Sequence, residues 1–372
     1  MFIHQSHLEH LLRPDQYYSQ EQHDAELRHL FTPAWHPVAT VHRLARPGDF
    51  FALDLFGRPL LIRNMDGELC AFLNVCPHRH SKLTDRGCGN TEKLKCQYHG
   101  WEFKADGRTG QIPDARAFRP WDRENSCLRK FRVERCGEIV FVCLDDAAPA
   151  LRDFVGPLWD GWEASFGGRF RFAAAWERDF PCNWKVVLEN SLESYHIPQV
   201  HPKTFKVYPD EPMCRHHLDT RYTTFTVPTP VDWIDRATAW LVRRLGEPVR
   251  REYQHHNLHP HVTLGWMDVS RVLMSVVPTS PTTSRYRAVQ YVLRGNRRNP
   301  LAWGLANFLK VVATGVAKKV FAEDGSIYEG VQKGLEASPH RGVIGTREER
   351  IFAFQKYVLE TCGPKAKASG AA

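Results

Sequence analysis

The 372-residue sequence predicts an α+β protein. Three observations lead there. Between about Trp35 and Leu144, short alternating stretches are broken by Gly, Pro and Asp, the pattern of a small antiparallel β unit. At Trp184 a helical period of apolar residues begins, directly after Asn183, a good capping residue. From His261 to Gly295, "HVTLGWMDVSRVLMSVVPTSPTTSRYRAVQYVLRG" reads as further strands joined by a Pro/Thr turn. The length admits two domains with a core each, and 42% hydrophobic with 25% charged residues is ordinary for a globular protein.

Taken in order, "YYSQEQHDAELRHLF" is an amphipathic helix ahead of the β unit. "FFALDLFGRPLLIRN" is a pair of strands punctuated by Gly57 and Pro59, and "ELCAFLNVC" is a strand running into Cys76. "WEFKADGRTGQI" is a hairpin turning at Asp106 and Gly107, and "CGEIVFVCL" closes the unit. The expected domains are a helical segment 1–35 packing on the larger domain, a metal-bearing β domain 36–150, and a second domain 151–372. The terminal "GPKAKASGAA" is expected to be disordered.

Composition removes several classes. "MFIHQSHLEHLLRPDQYYS" has no basic start, long apolar run or small-residue cleavage site, so no export signal is read there. Ten cysteines without such a signal suggest reduced thiols and a cytoplasmic location. The most apolar stretch, "PLAWGLANFLKVVATGVAKKVF", is interrupted by Asn307 and Lys310. It is expected to be a helix packed on the protein's own core, with no membrane partner. The net charge of +8 is spread along the chain, which fits solubility and docking of an acidic protein rather than nucleic acid.

Chemistry concentrates in "CPHRHSKLTDRGCGNTEKLKCQYHGWEF". Cys76, His78, Cys96 and His99 are four metal ligands by type, and by count they also fit zinc. A zinc finger, however, draws its two Cys from one element and its two His from another. Here each loop supplies one of each. That division suits a [2Fe–2S] cluster of Rieske type, with two thiolates on one iron and two imidazoles on the other. His80 is expected to be an exposed loop histidine.

The second informative stretch is "CNWKVVLENSLESYHIPQVHPKTF". Trp184, Val187, Leu188 and Ser191 fall on one helical face, while Glu189, Glu193 and His196 fall on another. Pro198 is expected to end the helix and let His201 come round. Two histidines five apart say little by themselves.

The two stretches together resemble the Rieske non-haem iron oxygenases, the α subunits of ring-hydroxylating systems. "LFTPAWHPVA" and "PGDFFALDLFGRPLLIR" add to the likeness. Respiratory Rieske proteins carry two further cysteines bridging the loops, whereas this chain has Ser81 and Tyr98 in those loops. The resemblance implies a helix-grip catalytic domain, a curved antiparallel sheet around a long helix. It implies a mononuclear Fe(II) held by His196, His201 and a distant carboxylate. "FAEDGSIYEGVQKGLEAS" resembles that later motif; Asp324 is the choice, with Glu323 and Glu329 behind it. It also implies that Glu193 bridges His196 to His99 of the partner subunit, in a homotrimer. Members acting on quaternary ammonium compounds tend to have Glu at this position, where Asp is commoner.

The implied function is an oxygenase. It would use O2 and electrons from an NAD(P)H-dependent reductase, with or without a ferredoxin, to hydroxylate or dealkylate a small organic substrate. Arg79, Lys82, Lys93 and Lys95 are candidates for docking the donor. An electron-transfer protein without oxygenase chemistry is the alternative, and a zinc-stabilised binding protein a third. Phe205, Tyr208, Tyr222, Phe225, Trp266 and Tyr291 are aromatic pocket candidates, and His259 and His261 candidates for a substrate carboxylate.

Overall fold

The computed structural model describes residues 2–120, 126–202, 204, 209–229, 231, 233–296 and 298–363. Phe205, Tyr208 and the tail 364–372 lie outside these. The chain divides into two compact units, Thr32–Glu163 and Met1–Phe31 with Ala164–Ala372. The sequence placed the boundaries at 35/36 and 150/151; the observed ones lie at 31/32 and 163/164. The reason lies in local bonding. Trp35 Nε1 donates to the Pro149 carbonyl (3.0 Å), and the Leu151 amide at the start of the helix Leu151–Val155 donates to Glu134 (3.0 Å).

The smaller unit is built on a seven-stranded antiparallel sheet. Its spatial order is Trp35–Thr40, Ile139–Cys143, Lys130–Cys136, Glu68–Leu73, Arg58–Met65, Asp49–Leu55 and Cys88–Asn90. Leu55 pairs with Arg58 across a two-residue turn in which Phe56 and Gly57 both have positive φ. That is the twist a tight hairpin needs. Phe50, Leu61, Phe72, Leu83, Trp101 and Phe103 share one buried cluster with Cys76 and Cys96. The two loop cysteines are therefore rooted in the core, so packing fixes their positions.

The larger unit has its own seven-stranded antiparallel sheet. The order is Phe170–Phe180, Thr283–Leu293, Ser270–Ser280, Val262–Trp266, Glu252–Leu258, Tyr222–Pro228 and Arg215–Leu218. Cross-strand pairing puts Phe225, His255, Gly265, Val272 and Gln290 on one face. The helix Pro300–Asp324 lies on that face. Gln290 Nε2 donates to the Ala313 carbonyl (3.2 Å), and Thr314 donates to Gln290 Oε1 (2.8 Å). Further along, Phe321 packs on Tyr286 with ring centroids 4.4 Å apart. Asn299 caps the helix start by accepting from the Ala302 amide, with Pro300 in the first turn.

One expectation is qualified here and one corrected. The apolar helix packs on the protein's own sheet as expected, but by one side only. Ala302, Ala306 and Leu309 are buried, while Leu301, Trp303, Phe308, Val311, Val312 and Val316 are exposed. By length and composition it is apolar enough to cross a membrane. The correction concerns Pro198. The helix Trp184–Ser191 has already stopped before it, and Pro198 sits in the first turn of a separate short helix, Ile197–Val200. A proline in a first helical turn loses no internal hydrogen bond.

Candidate metal centres

The two ligand loops of the smaller unit share one backbone design. The Cys76 amide donates to the Ser81 carbonyl (2.8 Å) and His80 N–H returns to the Cys76 carbonyl (3.0 Å). Twenty residues on, the Cys96 amide donates to the Trp101 carbonyl (2.8 Å) and Gly100 N–H to the Cys96 carbonyl (3.0 Å). His80 and Gly100, at matching positions, both have positive φ. His80 is exposed and serves the turn, as expected of a non-ligand.

These turns bring the four side chains together. The rings of His78 and His99 are 4.7 Å apart, and the Nδ1 atoms of both are buried with no hydrogen-bond partner. Buried imidazole nitrogens without partners are costly unless a ligand takes their lone pairs. Trp101 stacks on His78 (4.8 Å, 3° between planes), with Phe118 at the edge of both rings. This brace was not legible from the ligand spacing. Burial pushes the Cys76 thiol up to about 11; N–H groups of His78 and Arg79 pull it down and the neighbouring Cys96 pushes it up. A buried thiol pair of this kind becomes thiolate when a metal supplies the countercharge. Two inward thiols and two orphaned imidazole nitrogens fit a Rieske [2Fe–2S] cluster.

In the larger unit, Asn183 accepts from the Lys185 amide (2.9 Å) and starts the helix Trp184–Ser191. The short helix then carries His196 at its front and His201 at its end. The long helix Pro300–Asp324 delivers Asp324 at its final residue. One ligand atom from each of His196, His201 and Asp324 lies within 4.8 Å of the others. The Nε2 atoms of both histidines face Asp324 Oδ1, at 3.5 Å and 3.0 Å.

Each imidazole is held from behind by a carboxylate. His196 Nδ1 donates to Glu193 Oε1, and the His196 amide donates to Glu193 Oε2 (3.1 Å). His201 Nδ1 donates to Glu323 Oε2 (2.8 Å), which also accepts from Thr204 (3.0 Å). With the proton fixed on Nδ1, Nε2 presents its lone pair to the site. Burial opposes charging of His201, but its bonds to Asp324 and Glu323 prevail and raise its pKa. The site is thus built to hold a cation, and two His with one carboxylate on one side suit a mononuclear Fe(II).

Among the acids considered for the third position, Asp324 joins the histidines, Glu323 orients His201 instead, and Glu329 pairs with Lys333 (2.7 Å) at the surface. Of the aromatic candidates, Phe225 lies on the same sheet face as Gln290 but packs with Phe2, Cys214, Val227 and Tyr253. Tyr222, Trp266 and Tyr291 are each one residue out of step with that face, and so point away from it. Arg271 covers Trp266 (4.3 Å) and Phe166 packs on Tyr291 (5.4 Å). His259 and His261 are buried, His259 stacked on Tyr357 (4.7 Å) and His261 5.3 Å from Phe31, which places both in the core.

Comparison with known proteins follows this geometry. The Rieske [2Fe-2S] domain profile matches residues 34–132. A carnitine monooxygenase oxygenase subunit of Acinetobacter pittii is 32% identical over 190 residues, 50% of this chain and 51% of that protein. A glycine betaine monooxygenase oxygenase subunit of Pseudomonas aeruginosa is 29% identical over 191 residues, 51% of this chain and 44% of that protein. The chain spans about half the length of these curated relatives. The α subunit of 2-aminobenzenesulfonate 2,3-dioxygenase from Alcaligenes is 25% identical over 300 residues, 75% of this chain and 74% of that protein. The solved quaternary ammonium Rieske monooxygenase CntA shares the fold, with a TM-score of 0.77 over 94% of this chain and 95% of that one at 24% identity. The ring-hydroxylating α-subunit catalytic-domain profile matches residues 168–363, more than half of the chain, and the protein therefore belongs to that family.

Proposed function

We propose that this protein is the oxygenase component of a Rieske-type system, and that it hydroxylates or dealkylates a small organic substrate with O2. When bound, the cluster passes single electrons and the mononuclear iron activates O2. Cys76 and Cys96 would hold one cluster iron, and His78 and His99 the other. His196, His201 and Asp324 would hold the mononuclear iron, which would supply O2 activation. Glu193 and Glu323 keep both imidazoles in the tautomer that offers Nε2. The observation that carries the reading is this triad, with a carboxylate behind each histidine.

On the family pattern Glu193 would also bridge to His99 of the partner subunit, and the active unit would be an oligomer, a homotrimer. The electron donor is a separate NAD(P)H-dependent reductase, directly or through a ferredoxin. Lys82 and Lys95, both without an ion-pair partner among the described residues, suit docking of an acidic surface; Lys93 is engaged by Glu102 (3.0 Å). Ten free cysteines suit a reducing, cytoplasmic setting. The relatives named for carnitine, glycine betaine and 2-aminobenzenesulfonate support a substrate among quaternary ammonium compounds or aromatic acids.

Iron content tests the reading. Fully loaded protein should hold about three iron atoms per chain, two in the cluster and one at the triad. His196→Ala should lose the third while the red-brown colour and cluster EPR signal persist. Two irons in both proteins would leave only an electron-transfer role.

A further inference from the structure

Two helices of the larger unit leave the same end of its sheet. Cross-strand pairing sets Thr226, Gln254, Trp266, Arg271 and Tyr291 in one row. Just beyond that row, the strand Tyr222–Pro228 runs out toward the helix Trp233–Arg244, and the strand Thr283–Leu293 toward the helix Pro300–Asp324. Arg169 ties the two connections together. It pairs with Glu247, just past the first helix (2.8 Å), and its carbonyl accepts from the Arg294 amide ahead of the second (2.8 Å). The second helix then runs back over the sheet, meeting Gln290 at Ala313 and Tyr286 at Phe321, so the triad lies at its far end.

Neither helix shows solvent an ordinary polar side. On the first, Trp233, Arg236, Ala237, Trp240, Arg243 and Arg244 recur at helical spacing and are all exposed, Trp233 by 77%. Ala239 and Val242, on the other side, are buried. On the long helix, Leu301, Phe308, Val311 and Val312 form one outer strip. That helix cannot leave the protein to span a bilayer, because its inner side holds the sheet and its last residue closes the triad.

The charge around these apolar side chains is of one sign. Arg236, Arg243, Arg244, Arg294 and Arg298 are exposed and have no ion-pair partner among the described residues. Of the described acids beside the first helix, Asp235 faces Arg251 (3.3 Å) and Glu247 faces Arg169. No Asp or Glu occurs anywhere from Val269 to Ala322. Exposed tryptophans interleaved with arginines are the composition of a helix that lies in a membrane interface. The rings enter the headgroup layer, and the cations meet lipid phosphates. An isologous second copy would instead set the same arginines against one another.

We propose that this end of the larger unit docks on the surface of an anionic phospholipid bilayer, with Trp233, Trp240 and the outer strip of the long helix in the interface and Arg236, Arg243 and Arg244 on the headgroups. The docking is peripheral and reversible, and it does not depend on the iron chemistry. Charge complementarity selects the occupant: the inner leaflet of a cell membrane carries negative charge, and each arginine near it strengthens attachment.

Co-sedimentation of the iron-loaded protein with vesicles tests this, using phosphatidylcholine alone against phosphatidylcholine with about one-third phosphatidylglycerol. The protein should pellet with the anionic vesicles and not with the neutral ones, and high salt should weaken the attachment. A triple variant, Arg236→Gln with Arg243→Gln and Arg244→Gln, should bind about a hundredfold more weakly, about fivefold for each arginine. Trp233→Ser with Trp240→Ser should lose about tenfold or more. All five positions are exposed, so cluster absorbance and iron content should stay as in the parent. Equal binding to both vesicle types, no binding to either, or full binding by the arginine variant overturns the proposal. Full binding by the tryptophan variant does so too, because the contact is then diffuse charge. No binding to vesicles, with a lower oligomeric order in the tryptophan variant by light scattering, gives the face to a second copy instead.

Discussion

Glu349 shows how one side chain ties acid stability to the fold. Burial works against its charge, but His216, the Ile3 amide and His4 together hold its carboxyl down at about 2. In the unfolded chain the same group has an ordinary glutamate pKa. Its folded pKa is lower, so it contributes stability that is full above the ordinary value and is lost as pH falls toward about 2. Thermal unfolding between those limits should show a falling Tm, and Glu349→Gln should flatten that acid limb. The same scale shows what the sequence left open. "FAEDGS" presents two adjacent acids of equal chemistry, and nothing in the string says which one ligates. The phase of the long helix decides: Asp324 turns to His196, and Glu323 turns to His201 Nδ1 and Thr204.

Elements were legible where punctuation is strong. The strand pair about Phe56–Gly57, the hairpin after Trp101 and the cap at Asn183 all have local chemistry that tertiary contacts need only accept. The helix Pro300–Asp324 was only half legible because its apolar content says nothing about which side meets the sheet. Its small residues Ala302 and Ala306 go inward, and Phe308 and Val311 stay 67% and 72% exposed. Replacing both by Ser should change folding stability by less than about 0.5 kcal/mol, as for other surface positions. Self-association should fall, since large exposed apolar patches drive it; unfolding curves and light scattering check the two outcomes.

At the scale of the molecule, the chain's first thirty residues belong with its last two hundred. Glu26 of the helix Gln20–Glu26 accepts from Lys185 Nζ (2.5 Å) and Trp184 Nε1 (2.7 Å), all three buried. Tyr17 donates to Glu189 (2.7 Å) on the helix that leads to the iron histidines. Glu26→Ala would leave an ammonium and an indole N–H buried without a partner. It should destabilise the larger unit by about 3–5 kcal/mol. Denaturant unfolding followed at the triad should move, while the cluster absorbance of the smaller unit should not.

The sequence by itself determined the ligand types, their grouping in two loops and one helix–turn segment, and the strands around them, because these depend on residues near one another in the chain. Only the tertiary structure decided that Asp324 rather than Glu323 closes the triad with His201, and that Glu323 stands behind His201 instead. Those choices join residues more than a hundred positions apart, and they are set by helix phase and sheet register rather than by any local pattern.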